Sequence, residues 1–358
     1  MDQHFSGTQD IPLAQRFALE HLEQWMAQHI EGFEGPLSAR MFKGGQSNPT
    51  YLLSTPKRQY VMRSKPAPKA QLLPSAHAIE REFRVMSALK NSPVPVASML
   101  GLCTDERIIG RAFFIMEMVH GRVFWDQSLP QLTTSERQQV YREMNAVISH
   151  LHTLNVDAYG LSDFGRPGNY FERQITRWSQ QYLASQTQEI PQMHRLIDWL
   201  PKNIPPSASD ARACLVHGDF RMDNLIFDES GSRILAVLDW ELSTLGHPLA
   251  DFSYHCMSWH VSPERFRGIL GHDLERLGIP LEDQYIRWYC DQTGLLSPKD
   301  LQADWAFFLS YNMFRMAAIL QGIAKRAQVG TASSAQAQEA GERARPMAEL
   351  AWKYAQRC

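Results

Sequence analysis

The segment Leu215-Val216-His217-Gly218-Asp219-Phe220-Arg221-Met222-Asp223-Asn224-Leu225-Ile226-Phe227 sets a polar loop between two apolar runs. Phosphoryl transfer asks two things of such a loop: a carboxylate that orients and deprotonates the attacking hydroxyl, and a separate oxygen ligand for the metal that neutralises charge on the phosphates. Asp219 suits the first role and Asn224 the second. Fifteen residues beyond Asn224, the run Ile234-Leu235-Ala236-Val237-Leu238 delivers Asp239 at a strand end, followed by Trp240-Glu241. A second Mg²⁺ carboxylate belongs there. Singly, an Asp or Asn beside a turn is usually a cap or turn former; the joint order and spacing point to chemistry.

A nucleotide site needs further parts, and the first third of the chain offers them. Phe42-Lys43-Gly44-Gly45-Gln46-Ser47-Asn48-Pro49-Thr50-Tyr51 lies between two strand-like runs, and the backbone amides of Gly44, Gly45, Gln46, Ser47 and Asn48 could cap phosphates. The segment lacks both the Walker pattern and GxGxxG, so it reads equally as a hairpin turn, and only its position favours the nucleotide. In Val61-Met62-Arg63-Ser64-Lys65, Arg63 and Lys65 share a strand face because side chains alternate with period two, and either could reach the α/β-phosphates. The helical stretch Ala78 to Met86 carries two carboxylates, Glu80 and Glu82, of which one can face the phosphates.

These motifs resemble the aminoglycoside phosphotransferase and choline kinase superfamily, whose HGD-x-x-x-x-N loop and later Asp follow this order and spacing. The resemblance implies a bilobal α+β protein-kinase-like fold, an N-terminal antiparallel-sheet lobe with one helix and a larger, mainly helical C-terminal lobe, with ATP and Mg²⁺ held between them. It implies that Glu82 pairs with the strand cation, here Arg63 where the family usually has Lys, a replacement that is not equivalent. It implies an adenine-binding hinge at Met116, Glu117 and Met118, a loop-bracing role for His217, and a bracing Asp251 in Gly246-His247-Pro248-Leu249-Ala250-Asp251-Phe252. The stretches Gly44 to Tyr51, Leu72 to Glu82 and Leu238-Asp239-Trp240-Glu241 look more narrowly like the kinase-type domain carried by some acyl-CoA dehydrogenases. That subgroup is associated with phosphorylating hydroxyacyl-CoA thioesters, which turns a poor hydroxide leaving group into phosphate. The expected acceptor is therefore the hydroxyl of a hydroxyacyl-CoA, with a separate acyl-CoA dehydrogenase as the expected partner. The alternatives are an aminoglycoside, amino-alcohol or sugar kinase, or a non-catalytic nucleotide-binding pseudokinase, for which Arg63 is the sequence support.

The elements that must position these residues can be read from periodicity. Leu13, Phe17, Leu22, Trp25, Met26 and Ile30 predict a leading helix from Ile11 to Ile30. Short strands follow at Ser38 to Phe42, Tyr51 to Ser54 and Tyr60 to Ser64, then a helix from His77 to Leu89, then two more strand-like runs ending at Met118. Beyond Thr133 the pattern is helical, with one strand-rich island from Cys214 to Asp239 turned by Asp228-Glu229-Ser230-Gly231. The Ala-, Ser- and Gln-rich stretch Gly330 to Gly341 suggests a mobile connector before a last helix around Met347 to Ala355. The expected division is residues 1–118, a nucleotide-binding lobe, and 119–358, a helical lobe with the catalytic loop and substrate site.

Composition excludes several other classes. The chain has 358 residues, a net charge of −2, 44% hydrophobic and 21% charged residues, without the basic footprint of a nucleic-acid binder or an anionic-membrane binder. Five cysteines stand singly with no CxxC pair, which reads as reduced thiols. Residues Met1 to Phe5 lack a basic n-region and apolar h-region, and no apolar run approaches a bilayer's thickness; the expected location is the cytoplasm. His255 and His260 near Trp259 lack a third ligand and read as satisfied core histidines. A polycationic acceptor would need clustered carboxylates, whereas Asp273, Glu275, Glu282 and Asp283 are scattered.

Overall fold

The computed structural model of the chain describes residues 7–43, 48–66, 79–166, 168–209, 213–329 and 337–358. Its strands are β1 (Thr8–Gln9), β2 (Ser38–Phe42), β3 (Thr50–Ser54), β4 (Gln59–Ser64), β5 (Met99–Cys103), β6 (Phe113–Glu117), β7 (Cys214–Val216), β8 (Leu225–Phe227), β9 (Ile234–Val237) and β10 (Thr244–Gly246). Its helices are α1 (Leu19–His29), α2 (Ile79–Ala88), α3 (Thr134–Thr153), α4 (Tyr170–Ser185), α5 (Pro191–Trp199), α6 (Pro206–Ser209), α7 (Pro248–Cys256), α8 (Pro263–Phe266), α9 (Leu274–Leu277), α10 (Glu282–Thr293), α11 (Pro298–Gln328), α12 (Ala337–Glu342) and α13 (Ala344–Ala355). The residues group into two units, Met1–Trp125 with Asp223–Ser243, and Asp126–Met222 with Thr244–Cys358.

The first unit is built on an antiparallel sheet ordered β1-β2-β3-β4-β6-β5. Alternation sets its two faces. Tyr51 and Leu53 of β3 and Tyr60 and Met62 of β4 join Leu22, Trp25 and Met26 of α1 in one apolar core. β4 lies between β3 and β6, so neither of its edges is open, and its opposite face is covered as well, since Val61 and Arg63 are buried. The β8–β9 hairpin is tied to the sheet unit by paired amides: Arg122 N–H donates to the Phe227 carbonyl at 2.7 Å, Phe227 N–H to the Arg122 carbonyl at 2.8 Å, and Val237 N–H to the Pro95 carbonyl at 2.9 Å. Gly121 is needed there, since a Cβ would stand 2.3 Å from the Phe227 carbonyl oxygen.

The second unit is helical. Thr133 starts α3 with a capping box, its hydroxyl accepting from Glu136 N–H while the Glu136 carboxylate accepts from Thr133 N–H, which satisfies two otherwise orphaned donors. Ser297 caps the long α11 and Pro298 occupies its first turn. Buried aromatic side chains of α7, α10 and α11 form the centre, with Phe252 stacked on Tyr289 at 3.8 Å between ring centroids. A short β7–β10 ladder leads into the polar loop that carries Asp219.

Four expectations are corrected. The leading helix begins at Leu19, because Pro12 and Arg16 adopt extended backbone on either side of a single 3-10 turn, and Leu13 is exposed. The strand-rich island divides: β8 and β9 pair with each other, whereas β7 pairs with β10, a long-range pairing that local periodicity cannot reveal. Within the expected connector, 330–336 lie outside the described residues, and Ala337–Glu342 is helical. The division at 118/119 also gives way, because the backbone bonds of Arg122 and Pro95 return Asp223–Ser243 to the first unit.

Candidate functional site

In the first unit the charged residues gather around Arg63. Its guanidinium meets Glu82 at 3.0 Å, Asp239, and Glu241 at 3.3 Å. Glu82 comes from the buried face of α2 and is 2% exposed, while Asp239 is 34% exposed. Burial pushes the Glu82 carboxyl up to about 7, against the pull of Arg63 and with a further push from Asp239 and Glu241. Burial works to lower the Arg63 value, but the three carboxylates outweigh it and raise it above the ordinary arginine value. Three carboxylates share this guanidinium, and Asp239 is the most accessible of them.

Asp239 has φ 65° and ψ 57°, a left-handed conformation that Asp and Asn tolerate better than other non-glycine residues. Asn224 lies at the same end of the β8–β9 hairpin, its carbonyl accepting from Leu238 N–H at 2.8 Å. The pair is an all-oxygen donor set, the type Mg²⁺ prefers, and Mg²⁺ commonly takes one or two protein ligands with phosphates and waters completing its shell. The residues therefore fit that ion. Among the described residues no group of three or more His, Cys, Asp or Glu could hold a metal by itself.

In the second unit Asp219 is held from several sides. The Tyr254 hydroxyl donates to Asp219 Oδ1 at 2.5 Å, and Arg221 Nε lies 2.9 Å from the same oxygen, with Nη2 3.3 Å from Oδ2. Burial would raise the Asp219 pKa, yet Arg221, the Tyr254 hydroxyl, His217 and Arg315 together hold it below the usual aspartate value. The loop is braced as the resemblance implies: Asp251 accepts from the N–H of His217 at 2.7 Å and of Gly218 at 2.8 Å. His217 Nδ1 accepts from Asp219 N–H at 3.2 Å. Gly218 adopts φ +83°, which suits glycine.

Other expected residues are placed as follows. Lys65 pairs with Glu80 at 2.5 Å, with both ends more than a third exposed, so the two strand cations take separate helix carboxylates. Gly44, Gly45, Gln46 and Ser47 lie outside the described residues. Asn48 is buried and its side-chain amide donates to Glu241 at 3.2 Å, which commits that side chain to the Arg63 cluster. Met116 is buried in β6, and Glu117 N–H donates to the Ser98 carbonyl at 2.9 Å, just before Met118. His255 meets the Tyr285 hydroxyl at 2.8 Å, and His260 meets Glu282 at 2.6 Å and the Tyr354 hydroxyl at 2.7 Å; both are satisfied.

Sequence reasoning missed Glu241, Tyr254 and Arg315. Signals existed for the last two. Tyr254 follows Asp251 by three residues and so shares its helix face, and Arg315 is a lone charge inside the apolar stretch of α11, a placement arginine takes when paired.

Residues 38–288 match the model of the phosphotransferase enzyme family. The chain belongs to that family. This phosphotransferase-family chain is 56% identical to a candidate aminoglycoside phosphotransferase of Ralstonia eutropha JMP134, with a TM-score of 0.85 over 96% of this chain and 99% of the other. A choline kinase from Cryptosporidium parvum Iowa II shares the fold at 13% identity, with a TM-score of 0.65 over 94% of this chain and 95% of the other. Acyl-CoA dehydrogenase family member 10 of Mus musculus is 48% identical over 90% of this chain, which spans 29% of that protein's length. The kinase-like α+β fold expected from the motifs is the fold observed. Among the described residues no helix is long and apolar enough to cross a membrane.

Proposed function

We propose that this chain is an ATP- and Mg²⁺-dependent phosphotransferase that moves the γ-phosphoryl group of ATP onto the hydroxyl of a small molecule, a hydroxyacyl-CoA. The observation that carries the catalytic half is the intact set of charged groups: Asp219 braced and kept ionised, and Arg63 gathered with Glu82, Asp239 and Glu241. Asp219 orients the acceptor hydroxyl and takes its proton. Arg63, oriented by Glu82, positions the phosphates, and the backbone at Glu117 and Met118 presents to adenine. Asn224 and Asp239 would hold Mg²⁺, which when bound neutralises charge on the phosphates. Rate enhancement comes mostly from positioning and electrostatics.

The similarity to an acyl-CoA dehydrogenase family member supports the acceptor half. Phosphorylating a hydroxyacyl thioester would create a leaving group, so the product suits a partner with dehydrogenase-type acyl-CoA chemistry. For the CoA phosphates, Arg173 is the weaker candidate because it already holds the carbonyls of Arg166 and Gly168; Arg177 is exposed over the Trp178 ring at 5.3 Å. The deciding experiment follows ADP release and product mass with Mg·ATP over hydroxyacyl-CoAs, aminoglycosides, choline-like alcohols and sugars. A phospho-acyl-CoA is expected; phosphorylated kanamycin with no phospho-acyl-CoA would overturn the acceptor, and no transfer to any member of the panel would overturn the kinase reading.

A further inference from the structure

Asp219 has a neighbour that its loop does not supply. Tyr254, from the middle of α7, donates its hydroxyl to Asp219 Oδ1 at 2.5 Å. Arg315, a buried arginine of α11, lies over the Tyr254 ring at 5.0 Å and over the Trp178 ring at 5.5 Å. The same guanidinium donates from Nη2 to the Gly218 carbonyl at 2.6 Å. One rigid cation thus fixes both the ring that bonds the carboxylate and the backbone that precedes it. Burial and the charge of Asp219 keep the Tyr254 phenol protonated, so the tyrosine acts as a hydrogen-bond donor.

We propose that Tyr254, seated by Arg315, is a positioning residue for Asp219: its bond to Oδ1 fixes the direction in which the carboxylate meets the acceptor hydroxyl. The proposal rests on the reading of Asp219 as the base. In the step, the acceptor O–H bond breaks as its oxygen bonds to the γ-phosphorus, the bond from that phosphorus to the ADP oxygen breaks, and the proton ends on the Asp219 carboxylate. Phosphoryl transfer depends on alignment more than on base strength, and Tyr254 separates the two. Its bond lowers the basicity of Asp219 while fixing its direction. Removing the hydroxyl should make Asp219 a stronger base and a poorer catalyst at once.

The groups that face Asp219 include Arg221 and His217 of its own loop, Tyr254 of α7 and Arg315 of α11; of these, Tyr254→Phe alters the phenolic donor and keeps the ring beneath Arg315. The variant is tested with Mg·ATP and 3-hydroxybutyryl-CoA, and with water as the only acceptor, beside a ¹³C carboxyl titration in which Asp219→Asn identifies the Asp219 signal. We expect kcat to fall about 10- to 100-fold, the scale of a hydrogen bond to a charged group, with KM for ATP and the melting temperature little changed. The Asp219 pKa should rise, because the Tyr254 hydroxyl is one of the groups that hold it down. In an Asp219→Asn background the same change should cost nothing further, because the two residues act as a unit. Equal losses in both backgrounds, or an unmoved Asp219 titration, would overturn the proposal and leave the kinase reading intact. Full turnover by Asp219→Asn would overturn both. Failure of 3-hydroxybutyryl-CoA as acceptor, with ATP hydrolysis still dependent on Tyr254, would support the proposal and count against the acceptor alone.

Discussion

Asp219, Arg63 and Asp239 do separable work in the proposed reaction, so single substitutions should have separable kinetics. Asp219→Asn should lower kcat by about 10²–10⁴, the range for losing a general base, while isothermal titration finds Mg·ATP binding nearly unchanged. Asp239→Asn keeps a side chain suited to the left-handed backbone at φ 65° but removes a charge. It should weaken the Mg²⁺ dependence of nucleotide binding, and an unchanged Mg²⁺ titration would refute the assignment. Arg63→Ala should raise KM for ATP and also destabilise the fold by about 3–5 kcal/mol, since the buried Glu82 would lose its partner and Asp239 and Glu241 their shared counter-charge. Arg63→Lys should retain much of the activity. Lys65→Ala is the contrasting case: its pair with Glu80 is partly exposed, so stability should change by about 1 kcal/mol or less, and a KM effect larger than that of Arg63→Ala would move the phosphate contact to Lys65.

At the scale of the element, α7 serves the loop that bears Asp219 and carries a pH dependence with it. His247 caps its N-terminus, the Nδ1 accepting from Leu249 N–H at 3.2 Å, and His255 is buried near its end. Burial lowers both from 6.5 to about 4, so the unfolded chain binds protons there that the folded chain excludes. Stability from these residues is full above pH 6.5 and is lost as the pH falls towards 4. Each contributes a slope of about 1.4 kcal/mol per pH unit within that window. His247→Asn keeps an acceptor at the cap and removes one titrating group, so its urea midpoint should fall less steeply on acidification than that of the parent. Parallel pH profiles would show that His247 is not a source of the slope.

For the whole molecule, the testable property is which acceptor it takes. Three of the four carboxylates weighed against a polycation have local partners. Glu282 accepts from Trp305 Nε1 at 2.9 Å and meets His260, Asp273 caps α9, and Asp283 accepts from Gln302; Glu275 lies in the first turn of α9. An aminoglycoside should therefore be a poorer acceptor than a hydroxyacyl-CoA by about tenfold or more in kcat/KM, as expected when a cationic ligand lacks its counter-charges. Comparable values for kanamycin and the thioester would remove that specificity.

The sequence by itself determined which residues the proposed reaction draws on and the local elements that bear them. The order His217-Gly218-Asp219 to Asn224 to Asp239 names the proposed chemistry because phosphoryl transfer needs a carboxylate and oxygen ligands, and the period of two along Val61 to Lys65 offered Arg63 and Lys65 as alternatives on one face. Helices with caps and strands with period-two burial were legible for the same reason: their causes lie within a few residues. What the tertiary structure decided is pairing across long sequence distances. It chose Glu82 for Arg63 and Glu80 for Lys65, broke the leading helix at Leu19, separated β7 from the β8–β9 hairpin, and brought Tyr254 and Arg315 to Asp219. Those contacts join residues 15 to 97 positions apart, and nothing in a local pattern of side chains encodes which distant partner will satisfy a buried charge.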